Sequence, residues 1–260
     1  MRLDRSPDLA RILAFCEEEP VERVFLEDVA RRGMGRFSTL EEDGRVVALC
    51  HAGANVVPSG AGTAGFADLA ADGDPRMIVG EETAVTELWD AISDRLAAPL
   101  DDRPGQPVYV LDEPPPPGES ELRAATLDDL DLLVPAAADA YLEEVGIDAY
   151  ARDPALFEWR TRMQVEQGRS WIWRREGQVL FKAEASAWTN QAVQLQQVWV
   201  EPALRGRGYG KRALADLCRA LLEGTPQVCL FVRPENDPAL ALYESIGMRR
   251  TITYRSLIFA

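Results

Sequence analysis

The sequence predicts an α+β protein with mixed α/β sheets, built as two modules. Three observations predict it. An apolar strand pattern, Ala192 to Val200, runs into a glycine-rich loop and leaves it as an amphipathic helix pattern, Lys211 to Leu222. The order helices, antiparallel meander, strand–helix–strand occurs twice along the chain. Between the two occurrences lies Asp112-Glu113-Pro114-Pro115-Pro116-Pro117-Gly118-Glu119-Ser120, which cannot continue a helix and should form a short, stiff connection. The modules are therefore expected at 1–113 and 121–260, with 114–120 as a linker.

Composition narrows the function classes. Hydrophobic residues make up 47% of the 260, ample for a sizeable core. The net charge of −15 is uneven: residues 1–120 carry 24 acidic and 11 basic side chains, residues 121–260 carry 19 and 17. An acidic half argues against nucleic-acid binding, which needs basic surface for phosphates. It suits the steering of a cationic amine or a basic partner, although a solvated, soluble surface is the simpler reading. No apolar run approaches the ~20 residues of a membrane span. The N-terminal residues lead into Asp and Glu rather than an apolar signal core, so a cytoplasmic protein is expected. The four cysteines form no Cys-x-x-Cys pair, and Cys229 in Val228–Val232 reads as a buried free thiol. His51 is the only histidine, which removes most Ser/His and Cys/His schemes and any histidine-rich metal site. No metal is expected.

In the first module, Ser6–Glu19 and Pro20–Arg32 read as helices, with Leu9, Ile12, Leu13 and Phe15 on one face. Gly35–Leu40 and Arg45–His51 form a predicted hairpin, and Asn55-Val56-Val57 continues the sheet. A strand at Arg76–Val79, a helix at Thr83–Leu96 and a strand at Val108–Leu111 follow. In the second module, Thr126 followed by acids is an N-cap signature, with Leu130, Leu133 and Val134 at core spacing. Further helices are predicted at Ala136–Gly146 and Pro154–Gln167. A hairpin follows, with strands Trp171–Arg174 and Gln178–Ala185.

The loop Arg205-Gly206-Arg207-Gly208-Tyr209-Gly210 opens onto a helix N-terminus, where unpaired N–H groups and the helix dipole attract anions. Its glycines let the backbone approach a phosphate, and Arg205, Arg207 and Lys211 add positive charge. A Walker loop would need Gly at 205 and Ser or Thr at 212, where Arg205 and Arg212 stand. A dinucleotide fingerprint would need a third glycine where Lys211 stands. What fits is Arg-x-x-Gly-x-Gly, beginning at Arg205 just after Val198-Trp199-Val200-Glu201-Pro202. This arrangement resembles the pyrophosphate loop of the GCN5-related N-acetyltransferases (GNAT), which bind acetyl-CoA. A second stretch, Asn236-x-x-Ala239-x-x-x-Tyr243-x-x-x-Gly247 with Met248 next, resembles the second signature of the same family.

The resemblance covers the second module and implies a GNAT-like fold there, with acetyl-CoA as co-substrate. Before the loop, apolar parity flips at Gln196-Gln197, as a β-bulge would produce. In the resembled family such a bulge splays the strand so that the pantetheine arm lies in the gap. The Val198-Trp199-Val200 backbone is thereby expected to pair with it, and a free N–H near Val198 to polarise the thioester. By the same resemblance Arg205 to Lys211 hold the pyrophosphate, Asn236 contacts the pantetheine and Ala239 allows close approach. Tyr243 points at the sulfur as general acid, its phenol still protonated with a pKa near ~10. The family often has Glu on the bulged strand. Gln196 and Gln197 stand there, so Glu184 or Glu144 acting through water is the expected base, the alternative being an amine of low pKa that needs none. Glu143, Glu144 and Glu184 are the candidates for receiving the amine. The function implied is N-acetyltransfer to an amine acceptor by direct attack in a ternary complex. A non-catalytic acyl-CoA sensor, or a scaffold docking a partner through the acidic half, is the alternative. The first module, whose strand-to-helix turn is Gly80-Glu81-Glu82, reads as a smaller, degenerate GNAT-like accessory domain, because two carboxylates would repel a pyrophosphate. Its expected task is to complete the acceptor pocket or brace the second module. The combined layout resembles bacterial proteins with an acidic N-terminal module ahead of such a domain.

Overall fold

A computed structural model describes residues 1–259. The chain forms two compact units, one of Met1–Val110, Phe231–Asp237 and Arg250–Ala260, the other of Leu111–Leu230 and Pro238–Arg249.

The first unit opens with strand β1 (Arg2–Asp4), then helices α1 (Leu9–Glu18) and α2 (Val24–Arg31). Asp8 caps α1 by accepting the Arg11 N–H at 2.9 Å. Ile12, Phe15 and Cys16 form its buried face. Leu9, expected with them, is exposed at the first helical position, one turn before the packed face begins. A meander of β2 (Arg36–Glu42), β3 (Arg45–Ala52) and β4 (Asn55–Gly60) follows. Asp43 and Gly44, at φ 50° and 81°, make the tight turn between β2 and β3, the mirror-image type that matches strand twist. A one-turn helix at Thr63–Phe66 leads into α3 (Ala67–Ala71), then β5 (Met77–Glu81), α4 (Glu82–Ile92) and β6 (Asp101–Leu111). Phe66, Ile78, Val85, Leu88 and Ile92 are wholly buried together beneath the sheet.

The second unit starts with the proline segment, which is tied down rather than loose. The Gly118 and Ser120 N–H groups each donate to Asp216 at 2.7 Å, and Arg219 donates to the Pro115 carbonyl at 2.8 Å. Burial pushes the Asp216 pKa up, but these hydrogen bonds and that of the Ser120 hydroxyl outweigh it and hold the carboxyl below its ordinary range. Strand β7 (Arg123–Ala124) and a short 3-10 turn precede α5 (Leu130–Val145), α6 (Ala149–Arg152) and α7 (Pro154–Glu166). Thr126 and Asp129 make a capping box, and Asp129 also receives two Arg123 N–H groups at 2.7 and 2.8 Å. The two helices expected across 126–146 merge into the single α5. Pro135 sits inside it and cannot donate to the Asp131 carbonyl, and both residues are exposed.

Strands β8 (Ser170–Arg175), β9 (Gln178–Trp188) and β10 (Ala192–Val200) form an antiparallel meander. Helix α8 (Tyr209–Leu222), β11 (Gln227–Phe231) and α9 (Asp237–Ser245) complete the strand–helix–strand–helix run. Ala213, Leu214, Leu217, Cys218 and Leu221 bury one face of α8. A final strand, β12 (Arg249–Ile258), was not anticipated from the sequence. It pairs antiparallel with β5, from Tyr254 opposite Glu81 to Ile258 opposite Met77. Strand order is therefore β1-β2-β3-β4-β5-β12-β6 in the first unit and β11-β10-β9-β8-β7 in the second.

Candidate active site

The site grows out of the irregular end of β10. Its ladder to β9 shifts register between Gln196 and Trp199: Gln196 stands opposite Glu184, and Trp199 opposite Lys182. Gln197 and Val198 thus face a single residue of β9, which is the bulge the parity flip indicates. Gln197 takes φ 48°, a left-handed conformation rare for a residue with a Cβ. On its other side β10 pairs in parallel with β11 only from Ala192–Gln227 to Gln194–Cys229, while β10 itself continues to Val200. The two strands part beyond Gln194, leaving main-chain groups near Val198 outside that ladder.

After β10 a one-turn helix, Pro202–Leu204, leads into the glycine loop. Gly206 and Gly208 hold φ 74° and 85°, which glycine adopts without steric cost. Gly208 is the N-cap of α8, and among the described residues no side chain caps that helix. A Cβ on Gly210 would lie 3.1 Å from Val200 and 3.4 Å from Leu242, so glycine there lets α8 approach both β10 and α9. The corresponding turn of the first unit differs in one decisive respect. Glu81 caps α4 with its own carboxylate, accepting the Thr83 and Ala84 N–H groups at 3.0 and 2.9 Å. The helix N-terminus that α8 leaves without a side-chain cap, α4 caps with its own carboxylate.

Arg207 and Lys211 are exposed at the loop. Arg205 is not free for a phosphate. Its guanidinium grips both Glu143 oxygens at 2.8 and 2.7 Å, and its Nε donates to the Val200 carbonyl at 3.1 Å. Glu143 also accepts the Trp199 indole N–H at 3.4 Å, so this acid joins α5 to the loop. The Trp199 ring packs with Ile172 and Leu133, and the Tyr209 ring lies 5.1 Å from that of Trp173. What Trp199 and Tyr209 present to a ligand is therefore main chain. Tyr243 is buried on α9, two turns beyond Asn236 and one beyond Ala239. Glu144 is exposed on α5.

Glu184 is buried, and its Oε1 accepts the Lys182 ammonium at 2.6 Å. Its second oxygen receives only a long 3.4 Å contact from Gln196. Ser170 of β8 stands directly across from Glu184, which stands across from Gln196, so one polar row crosses three strands. Lys182 is the residue that sequence reasoning missed. The signal was present: two charges at alternate positions of an apolar strand, Phe181-Lys182-Ala183-Glu184-Ala185, must share one face. Among the described residues no group of three His, Cys, Asp or Glu side chains could hold a metal ion, and no helix is long and apolar enough to cross a membrane.

Residues 132–248 match the profile of the acetyltransferase (GNAT) family. That region is a GNAT region. Residues 35–133 match a domain of unknown function, DUF4081. The N-alpha-acetyltransferase RimI of Mycobacterium tuberculosis is 44% identical over 57 residues, which span 22% of this chain and 35% of that protein. The chain thus spans about a third of that relative's length. Among solved structures, a GCN5-related N-acetyltransferase from Sphaerobacter thermophilus superposes with TM-score 0.62 at 18% identity, covering 98% of this chain and 94% of the other. A tandem GNAT protein from the clavulanic acid biosynthesis pathway covers 99% and 98%, with TM-score 0.57 at 14% identity. The fold of the chain is that of tandem GNAT proteins.

Proposed function

We propose that this chain binds acetyl-CoA at the α8 loop and transfers the acetyl group to an amine acceptor. The observation that carries this reading is the open N-terminus of α8 behind two left-handed glycines, next to a strand pair that parts at Gln194. Loop N–H groups from Gly206 to Gly210 hold the pyrophosphate, with Arg207 and Lys211 screening its charge. Arg205 contributes by locking Glu143, and with it α5, against the loop. The Val198-Trp199-Val200 main chain pairs with the pantetheine amides, and the Val198 N–H stabilises charge developing on the thioester oxygen. Asn236 and Ala239 line the approach to the same arm.

Chemistry proceeds by direct attack in a ternary complex. The acceptor nitrogen attacks the carbonyl carbon, the C–S bond breaks, and Tyr243 gives its phenolic proton to the departing thiolate. The proton lost by the amine goes to Glu184 through a water. Glu184 is favoured over Glu144 because it stands on β9 directly opposite Gln196, beside the bulge, and one of its oxygens carries only a long contact. The first unit acts as an accessory module without a cofactor of its own, its helix N-terminus being occupied by Glu81.

Calorimetric titration with acetyl-CoA, on the wild type and on Gly208→Glu, tests the reading. The variant places an anion where the pyrophosphate belongs, on a residue at φ 85°. Affinity is expected to fall about 100-fold or more. Absence of binding by both proteins would overturn the proposal.

A further inference from the structure

Lys182 is one of only two lysines among the 28 basic residues, and it is wholly buried. It lies in β9 between Ile172 of β8 and Trp199 of β10, where the ladder resumes after the bulge. An ammonium in such a place needs partners. It has two: Glu184 Oε1 at 2.6 Å and Gln197 Oε1 at 2.8 Å.

The two contacts do different work. Glu184 balances the charge. Gln197 is the residue that must hold φ 48°, and its side chain is fastened to Lys182 from across the sheet. Released, Gln197 would favour a negative φ, and a one-residue slip of β10 would turn Val198 to the other face. Resting on the proposed function, we propose that Lys182 is a positioning residue which locks the bulge through Gln197 and so fixes the direction of the Val198 N–H.

The test separates the hold from the charge. Gln197→Met removes the acceptor oxygen but keeps a Cβ at positive φ, and Lys182 still has Glu184, so no charge is orphaned. Gln197→Gly removes both the oxygen and the penalty. Hydrogen exchange of segment 195–200 should be about tenfold faster in Gln197→Met, and within about threefold of wild type in Gln197→Gly. The kcat of acetyl transfer should fall and the Kd for acetyl-CoA should rise in Gln197→Met, because Val198 both stabilises the thioester oxygen and pairs with the pantetheine, and both should recover in Gln197→Gly. The pair Lys182→Met/Glu184→Gln, which deletes both charges together, should also exchange fast, and adding Gln197→Gly to it should restore slow exchange. Wild-type exchange in Gln197→Met, or no restoration in the triple variant, would overturn the inference. If the wild type bound no acetyl-CoA, the functional reading would fail alone, because exchange still reads the bulge directly.

Discussion

At the scale of single residues, the polar groups inside the sheets show how burial decides chemistry. His51 is buried between the rings of Phe25 and Phe37, 5.8 and 5.2 Å away, and its Nδ1 has no partner among the described residues. Burial lowers its pKa below the ordinary 6.5, only partly opposed by a hydrogen bond with the Asn55 backbone. Well above pH 6.5, His51 is neutral whether folded or unfolded. Below about 6.5 the unfolded chain takes up a proton that the folded chain refuses, so stability declines as pH falls through that window. The urea midpoint is expected to drop between pH 7 and pH 5.5, and His51→Gln should flatten this dependence. An unchanged slope in the variant would assign it to other groups. His51 as a packed side chain was legible from its apolar strand. Lys182 was equally legible by alternation, but its tie to Gln197 crosses strands and depends on a register set by the bulge, which no local pattern encodes.

At the scale of elements, α4 and α8 begin at corresponding places and differ in what occupies their N-termini. Glu81 supplies an intramolecular anion to α4, whereas Gly208 supplies none to α8. Replacing Glu81 with Ala should cost about 1 kcal/mol of stability, read as a lower urea midpoint with unchanged slope. No measurable loss would mean that water caps α4 as well as Glu81 does. This contrast could be read directly from Gly80-Glu81-Glu82 against Gly206–Gly210, because glycine and carboxylate act within one turn. Other elements were hidden for physical reasons. β1 has only three residues, too few to show alternation. Pro135 signals a break by local rules because it cannot donate to the carbonyl four residues before it, yet α5 runs through it.

At the scale of the whole molecule, each unit carries a pair of internal reporters. Cys16 and Cys50 lie in the first unit, Cys218 and Cys229 in the second, and all four are buried free thiols. Burial pushes each thiol pKa up to about 12, so at pH 8 the native protein should present almost no thiolate. A disulfide reagent is expected to leave all four unmodified until denaturant opens the chain, and mass mapping of each pair would report the opening of each unit separately. Rapid modification of the native protein would contradict the packing described. The pairing of β12 has a consequence for biosynthesis. Roughly 170 residues separate β5 from the strand that completes its ladder. At ~5–20 residues per second, a ribosome needs about ten to thirty seconds to cross that interval. Throughout that time the nascent first unit exposes the edge of β5 to any other strand it meets, so the chain must shelter an unfinished sheet while its second half is being made.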